Sequence, residues 1–365
     1  MRTQKDRSTV IWRLGLLACT VPLLAFLAFQ GPAPPGAQYE GEAFTFQKVR
    51  NDLYLAVGTG SLTLISNAAV IVNKDDVVIV DTHTSPAGAW ALIRELKRIT
   101  SKPVRTVINT HYHLDHVHGN QIFAPDVEII GHELTREMIL AGKSKSGPAY
   151  ANVVGSLPSQ IATLQQTIEK AADAKSRTDL ERQLAIRKNF LAATDAVVPT
   201  PPNTTMSERM TLFRGGREIR LLCFGRGHSV ADVVVYLPEE KVLITGDLLQ
   251  QTVPFMGESF PQDWIQTLER VKGLDFDTIM PGHGQTFAGK GAASQLQSYL
   301  KDIWEQSAKL HAAGVGAGEA AKQIDLRSHA GDYPTLLIIK GVGAPPAQVA
   351  RIYELLDQRK AADRK

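Results

Sequence analysis

The chain has 365 residues, of which 44% are hydrophobic and 21% are charged. This composition is typical of a globular protein with a sizeable core, built as one large domain or two ordinary ones. Lys and Arg number 40 against 37 Asp and Glu, which gives a net charge of +3. The balance argues against a nucleic-acid-binding protein, whose surface would be clearly basic.

Residues 1–37 are predicted to be a signal peptide or an N-terminal membrane anchor. Basic residues up to Arg13 precede an uncharged apolar stretch from Leu14 to Phe29, and a Pro-rich segment follows. This order is typical of a secretory signal, and the apolar stretch is slightly short for a membrane-spanning helix. We therefore expect a periplasmic or secreted protein, attached to the membrane only if this segment is retained. Its removal would leave Cys223, expected to be a buried strand thiol, without a disulfide partner.

Residues 38–290 are predicted to form one α/β domain. Apolar runs predict strands at 53–57, 68–72, 77–80, 104–108, 127–130, 219–224, 233–237, 242–244 and 278–280. Between the strands at 77–80 and 104–108, apolar residues at helical spacing predict a helix from Pro86 to Ile99. Asp263 is expected to cap a further helix. This alternation of strands and helices indicates a layered architecture.

Residues 143–200 are predicted to be a helical insertion, and residues 291–365 a helical C-terminal extension. In the insertion, Ile161, Leu164 and Ile168 share one face of a first helix. Thr178 and Glu181 have the spacing of a capping box and predict the start of a second helix. The resulting hairpin is either a packing element or a lid over a functional site.

A dense cluster of histidines and one aspartate directly follows the predicted strand at 104–108. His111, His113, Asp115 and His116 form an H-x-H-x-D-H pattern. Imidazole nitrogens and carboxylate oxygens are ligands that zinc prefers, so the cluster predicts a metal site. The role of His118, two residues after His116, is not assigned, because a helix that starts here would point its side chain away from the cluster.

Three further candidate ligands, His228, Asp247 and His283, also follow predicted strands and have glycine neighbours that allow tight turns. The seven groups suffice for two metals, one held by His111, His113 and His228, the other by Asp115, His116 and His283, with Asp247 bridging them. Two cations roughly 3.5–4 Å apart can share and activate a water molecule.

Other histidines and one acidic residue receive weaker interpretations. Asp81 and His83 follow the strand at 77–80; both could orient metal ligands or form a simple turn, and for Asp81 we favour the orienting role. His132 is interpreted as local structure, and His311 and His329 as surface or helix-packing residues.

These motifs resemble those of the metallo-β-lactamase superfamily over about residues 44–290. The resemblance runs in order through Asp81, Thr110 to His116, Gly-His228-Ser, Gly-Asp247 and Pro-Gly-His283-Gly. It implies a four-layer αβ/βα sandwich with two metals at the sheet edges. It also implies a zinc-dependent hydrolase that uses metal-bound hydroxide, in which we expect Asp115 to handle a proton as well.

The resemblance leaves the substrate open. The segment after His228 looks like that of class B β-lactamases, but those enzymes typically carry cysteine or serine near the position of Asp247. A bridging aspartate is more similar to glyoxalase II and lactonases. Substrate-pocket walls are expected from residues 61–66, 143–200 and 250–260.

The first hypothesis is an exported hydrolase with two Zn2+ ions, iron or manganese being alternatives, that attacks a carbonyl carbon of a small molecule. A β-lactam, a lactone or another ester or amide would be the substrate. One alternative is a phosphodiester or sulfate-ester hydrolase on the same fold. The other is a non-catalytic, metal-containing binding protein.

Overall fold

The predicted strands assemble into two β-sheets in the computed structural model, which describes residues 32–123, 125–337 and 343–362. Within these ranges the first sheet has its strands side by side in chain order: β1 (Phe44–Arg50), β2 (Leu53–Gly58), β3 (Ala68–Val72), β4 (Val77–Val80), β5 (Val104–Ile108), β6 (Glu128–His132) and β7 (Thr204–Met206). The second sheet has the spatial order β13-β12-β11-β10-β9-β8 and contains β8 (Arg209–Arg214), β9 (Arg217–Cys223), β10 (Val233–Leu237), β11 (Val242–Gly246), β12 (Thr278–Pro281) and β13 (Phe287–Ala288).

Strand direction brings the ends of key strands together. Strands β1 to β4 pair antiparallel, whereas β4 to β7 pair parallel. In the second sheet β11 and β12 are parallel, and the other pairs are antiparallel. Because the carboxyl ends of parallel strands meet at one edge of a sheet, the residues after β4 and β5 become neighbours, as do those after β11 and β12.

One face of each sheet is buried against the other sheet. Val78 and Val80 of β4 belong to the same buried cluster as Val233 and Val235 of β10. The remaining residues of β4 are buried as well, so this strand is covered on both faces, as its continuous β-branched sequence predicts.

Helices cover the outer faces of the sheets. The described α-helices are α1 (Pro86–Leu96), α2 (Leu114–Val117), α3 (Asn120–Phe123), α4 (Glu133–Leu140), α5 (Pro148–Val154), α6 (Leu157–Glu169), α7 (Ala174–Asp195), α8 (Pro261–Lys272), α9 (Gly291–Ala312), α10 (Ala317–Gln323) and α11 (Pro346–Ala362). On the second sheet, Trp264 of α8 and Tyr299 of α9 share a buried cluster with Val234 and Leu243. Helix α1 connects the parallel strands β4 and β5 and is largely buried. The four-layer αβ/βα sandwich, with a helical insertion and C-terminal helices, is confirmed.

The insertion packs against the histidine cluster. Helices α6 and α7 pair as the predicted hairpin, and α5, which the sequence analysis did not predict, precedes them. Leu157 and Phe190 are buried in one cluster with Leu114, which lies inside the H-x-H-x-D-H pattern. The insertion therefore stabilises the segment that carries the candidate ligands, while a role as a lid stays a prediction.

The predicted start of the second insertion helix is wrong. Helix α7 begins at Ala174, where the side chain of Asp173 accepts a hydrogen bond from the Ser176 amide at 2.8 Å. Thr178 lies inside the helix and donates to the carbonyl of Ala174. Asp173 lies five residues before Thr178, and because its side chain already accepts from a free amide of the first turn, the helix begins there.

The predicted cap of α8 is also wrong. The helix starts at Pro261, two residues before Asp263. Proline suits the first helical position because its fixed φ fits the helix and its missing amide hydrogen is not needed there. Asp263 lies in the first turn instead and pairs with Arg226 at 2.6 Å.

Residues 1–31, most of the predicted signal peptide or anchor, lie outside the described residues. In the ranges that the structure describes, no helix is both long and apolar enough to cross a membrane. Cys223 ends β9, and its thiol is only partly buried there.

Candidate metal centre

The predicted ligands lie at one edge of the sandwich, Asp115 and His116 in the short helix α2 and the others in loops. They follow four different strands: His111, His113, Asp115 and His116 after β5, His228 after β9, Asp247 after β11, and His283 after β12. Two backbone hydrogen bonds join the sheets at this edge, from the Val233 amide to the Thr110 carbonyl at 2.8 Å and from the Asn67 amide to the Gly282 carbonyl at 2.6 Å. These bonds hold the loops of both sheets close together.

His111, His113 and His228 form a first group of potential ligands. All three are buried, and one nitrogen of each lies within 4.8 Å of the others. Nδ1 of His113 is 2.9 Å from Nε2 of His228. His113 thus presents Nδ1 to the group, and its Nε2 points away from it.

Asp115, His116 and His283 form a second group. Oδ2 of Asp115 lies 3.2 Å from Nε2 of His283 and 3.5 Å from Nε2 of His116. The His283 side chain is 23% exposed, whereas that of Asp115 is 9% exposed. Solvent therefore reaches the centre on the side of His283.

Asp247 lies between the two groups. Its Oδ2 is 3.4 Å from Nε2 of His228 and 3.1 Å from Nε2 of His283, and its Oδ1 is 3.4 Å from Nε2 of His116. One carboxylate therefore reaches both groups, as the bridging prediction requires. The structure brings all the predicted ligands together.

The donor atoms fit divalent cations. Nε2 of His111, Nε2 of His116 and Oδ1 of Asp247 are buried, and no hydrogen-bond partner is found for them among the described residues. The same three residues can place their ligand atoms within 4.8 Å of one another. Because buried polar atoms are rarely left without a partner, and nitrogen and oxygen are ligands of divalent metals, these atoms suit coordination.

The two groups differ in their charge. Desolvation by burial lowers the pKa of His228 to about 3, and it also lowers the pKa of His111 well below its usual value. In the second group burial opposes protonation, but Asp247 and Asp115 outweigh it and raise the pKa of His283 to about 10. The pKa of His116 is likewise raised well above its usual value, against the effect of burial, by the neighbouring carboxylates. Without a cation His228 and His111 are thus neutral, whereas His283 and His116 carry protons.

Asp81 orients ligands of both groups. Its Oδ2 accepts hydrogen bonds from Nδ1 of His116 at 2.7 Å and from Oγ1 of Thr110 at 2.8 Å. The Thr110 hydroxyl is in turn 3.0 Å from Nδ1 of His111. Both histidines are therefore held with Nε2 toward the centre, which supports the orienting interpretation of Asp81.

Sequence reasoning missed Glu258, which lies in the loop before α8. Its Oε2 is 3.2 Å from Nε2 of His113 and accepts from the Ala149 amide at 3.1 Å. Its Oε1 accepts from the Tyr112 hydroxyl at 2.9 Å. The loop 250–260 was expected at the pocket wall, but no local pattern signals a contact between residues so distant in the chain.

The segment before β3 positions His283. The Ile65 carbonyl accepts from Nδ1 of His283 at 3.0 Å. The side-chain amide of Asn67 donates to the carbonyls of Pro281 at 3.1 Å and Gly284 at 2.8 Å. No local pattern predicts these bonds, although residues 61–66 were expected at the pocket wall.

The remaining histidines lie outside both groups. Nδ1 of His83 is 3.1 Å from the Ser66 carbonyl, and His118 is buried with its ring beside that of Tyr150. His132 caps α4, in agreement with its interpretation as local structure. In the C-terminal helices His311 and His329 bind Asp357 and Asp302, respectively.

A family model and a solved structure match this architecture. The model, described as the metallo-beta-lactamase superfamily, matches residues 62–283, which is more than half of the chain. A solved metallo-beta-lactamase from Pontibacter korlensis aligns with a TM-score of 0.51 at 18% identity, covering 71% of this chain and 99% of that one. At this identity the likeness concerns the fold.

Curated relatives have diverse activities. A linear primary-alkylsulfatase of Pseudomonas sp. (strain ATCC 19151) is 24% identical over 77% of this chain and 53% of its own length. The 2,4-dinitroanisole O-demethylase subunit alpha of Nocardioides sp. (strain JS1661) is 27% identical over 69% of this chain and 61% of its own. A metallo-beta-lactamase type 2 of Bacteroides fragilis is 21% identical, with coverages of 67% and 78%. The chain thus spans less than two thirds of the length of the first two relatives.

Proposed function

Because the chain belongs to the metallo-β-lactamase superfamily, we propose that it is a dinuclear metal-dependent hydrolase of a small organic molecule. The observation that carries this proposal is the convergence of two ligand groups, linked by Asp247, at the open edge of the sandwich. Two divalent cations, with zinc as the first choice, would supply Lewis-acid chemistry and activate water there.

The residues around the cations have separate tasks. The neutral imidazoles of His228 and His111 need lose no proton to bind a cation. Asp81 keeps His116 and His111 turned toward the centre. Asp115 lies beside the exposed His283, and we assign to its carboxylate the transfer of a proton from the attacking water to the leaving group.

The first candidate substrate is a carbonyl compound, namely a β-lactam, a lactone or another ester or amide. Support comes from the β-lactamase relative of Bacteroides fragilis. The second candidate is a sulfate ester, which is favoured by the alkylsulfatase relative, since that match covers more of the chain. In both cases water attacks at a centre whose leaving oxygen or nitrogen needs a proton.

Hydrolysis assays on zinc-loaded protein separate these candidates. A chromogenic cephalosporin, a lactone, p-nitrophenyl acetate and an alkyl sulfate should include at least one substrate, with activity lost on chelation and restored by zinc. Turnover of the alkyl sulfate alone would place the sulfate ester first. Absence of turnover across the panel by protein loaded with metal would contradict the hydrolase and favour a binding protein.

We also propose that residues 1–37 direct export to the periplasm, because their basic start and apolar stretch are typical of a signal. Cell fractionation of the full chain and of a chain starting at Gln38 tests this. Equal cytoplasmic retention of both would contradict it.

A further inference from the structure

Glu258 is surrounded by hydrogen-bond donors. The Tyr112 hydroxyl donates to Oε1 at 2.9 Å, the Ala149 amide donates to Oε2 at 3.1 Å, and Nε2 of His113 lies 3.2 Å from the same oxygen. An ionised carboxylate is an acceptor only, so its two oxygens match all these donors.

The contact with His113 selects one tautomer of that histidine. Nδ1 of His113 faces His228 in the first ligand group, so it must carry no proton if it is to bind a cation. A neutral imidazole has one N–H group, which then lies on Nε2. This nitrogen is buried and makes no well-aligned hydrogen bond with the described residues, but Oε2 of Glu258 lies 3.2 Å from it and can accept its proton's hydrogen bond after a small reorientation.

We propose that Glu258 is a positioning residue that keeps the proton of His113 on Nε2 and thereby leaves Nδ1 free for the first metal. The inference rests on the proposed metal centre. It assigns a role to Glu258, which lies outside the sequence motifs that contain the predicted ligands.

Two peripheral parts of the chain hold Glu258 in place. Ala149 belongs to α5 of the insertion, and a Cβ atom at the neighbouring Gly147 would lie only 2.5 Å from Oε1 of Glu258. On the other side, Nε2 of Gln348 and Nε of Arg351, both on α11, donate to backbone carbonyls of the same loop at 2.7 and 3.0 Å. The insertion and the C-terminal helix thus both contact the loop that carries Glu258.

Cation binding by full-length variants tests the proposal. Zinc and cobalt affinities are measured by competition with a chromophoric chelator for wild type, Glu258→Ala, Glu258→Gln and the control Glu269→Gln, an exposed residue of α8. Glu258→Ala should weaken one of two sites about 10–100-fold and leave the other unchanged. Glu258→Gln should weaken the same site only about fivefold, because its amide oxygen still accepts from His113 but without a charge. The control should match wild type.

Two results would overturn the proposal. One is a Glu258→Ala protein with both affinities as in wild type. The other is an equal loss at both sites together with a lower melting temperature of the metal-free protein, which indicates a general structural role. If Glu258→Ala does not fold, the selective loss in Glu258→Gln decides, and its absence counts against the proposal. A wild-type protein that binds no cation would instead refute the metal centre itself.

Discussion

Nδ1 of His116 donates a hydrogen bond to Oδ2 of Asp81 at 2.7 Å. The same carboxylate accepts from the amide and the hydroxyl of Thr110, both at 2.8 Å. Asp81 has a φ of 66°, a conformation that asparagine also tolerates. An asparagine there preserves the backbone but cannot accept from all three donors.

Asp81→Asn should therefore weaken binding of the second cation about 10–100-fold. Chelator competition measures the affinity, and Asp275→Asn, a change at an exposed carboxylate, is the control. An unchanged affinity of both sites would show that Asp81 only shapes a turn.

Replacement of a central ligand should remove metal and activity together. Nε2 of His116 lies near both Asp115 and Asp247. His116→Ala therefore removes one ligand of the second group and the contact of that ligand with the bridging Asp247. Metal content by elemental analysis and hydrolysis of the identified substrate should both fall, whereas His311→Ala on α9 should alter neither. Full activity of His116→Ala would exclude its role as a ligand.

Gly282 permits close approach to the centre. A Cβ atom there would lie 2.2 Å from Oδ1 of Asp247 and 2.9 Å from Cε1 of His116. Gly282→Ala must displace the bridging carboxylate and should reduce cation stoichiometry as well as activity. Gly291→Ala, with open space around its Cβ, is the matched control, and equal metal content in the two variants would contradict the expectation.

The two ligand groups should differ in proton release. At pH 8 His283, whose pKa is about 10, is protonated in the metal-free protein, whereas His228, whose pKa is about 3, is neutral. A cation must displace the proton of His283 but none from His228, so the affinity of the second site should rise more steeply with pH than that of the first. Zinc titrations at pH 6 and pH 8, with proton release followed by an indicator dye, check this. The same pH dependence for both cations would refute the assignment.

The insertion should contribute to stability by packing. Phe190 is 4% exposed and shares a cluster with Leu114, so Phe190→Ala should lower the free energy of unfolding by about 3–5 kcal/mol. Urea denaturation of the metal-free protein measures this, with Leu140→Ala, at a side chain that is 63% exposed, as the control. Equal stability of the two variants would speak against a packing role.

Much of the fold could be predicted because its signals are local. The apolar runs at 77–80 and 233–237 correspond to β4 and β10 as the structure has them, since buried strands need continuous apolar sequence. Helix starts were less predictable. Several residues near Ala174 can cap a helix, and the backbone decides between them.

The same distinction between local signals and long-range contacts applies to the candidate site. The sequence by itself determined which groups can bind cations, because imidazoles and carboxylates carry that chemistry wherever they lie, and the short spacing from His111 to His116 keeps four of them together. Only the tertiary structure decided that Glu258 meets His113 and which nitrogen of that histidine faces the first ligand group. That choice depends on a carboxylate brought from a distant loop, which no local spacing of residues encodes.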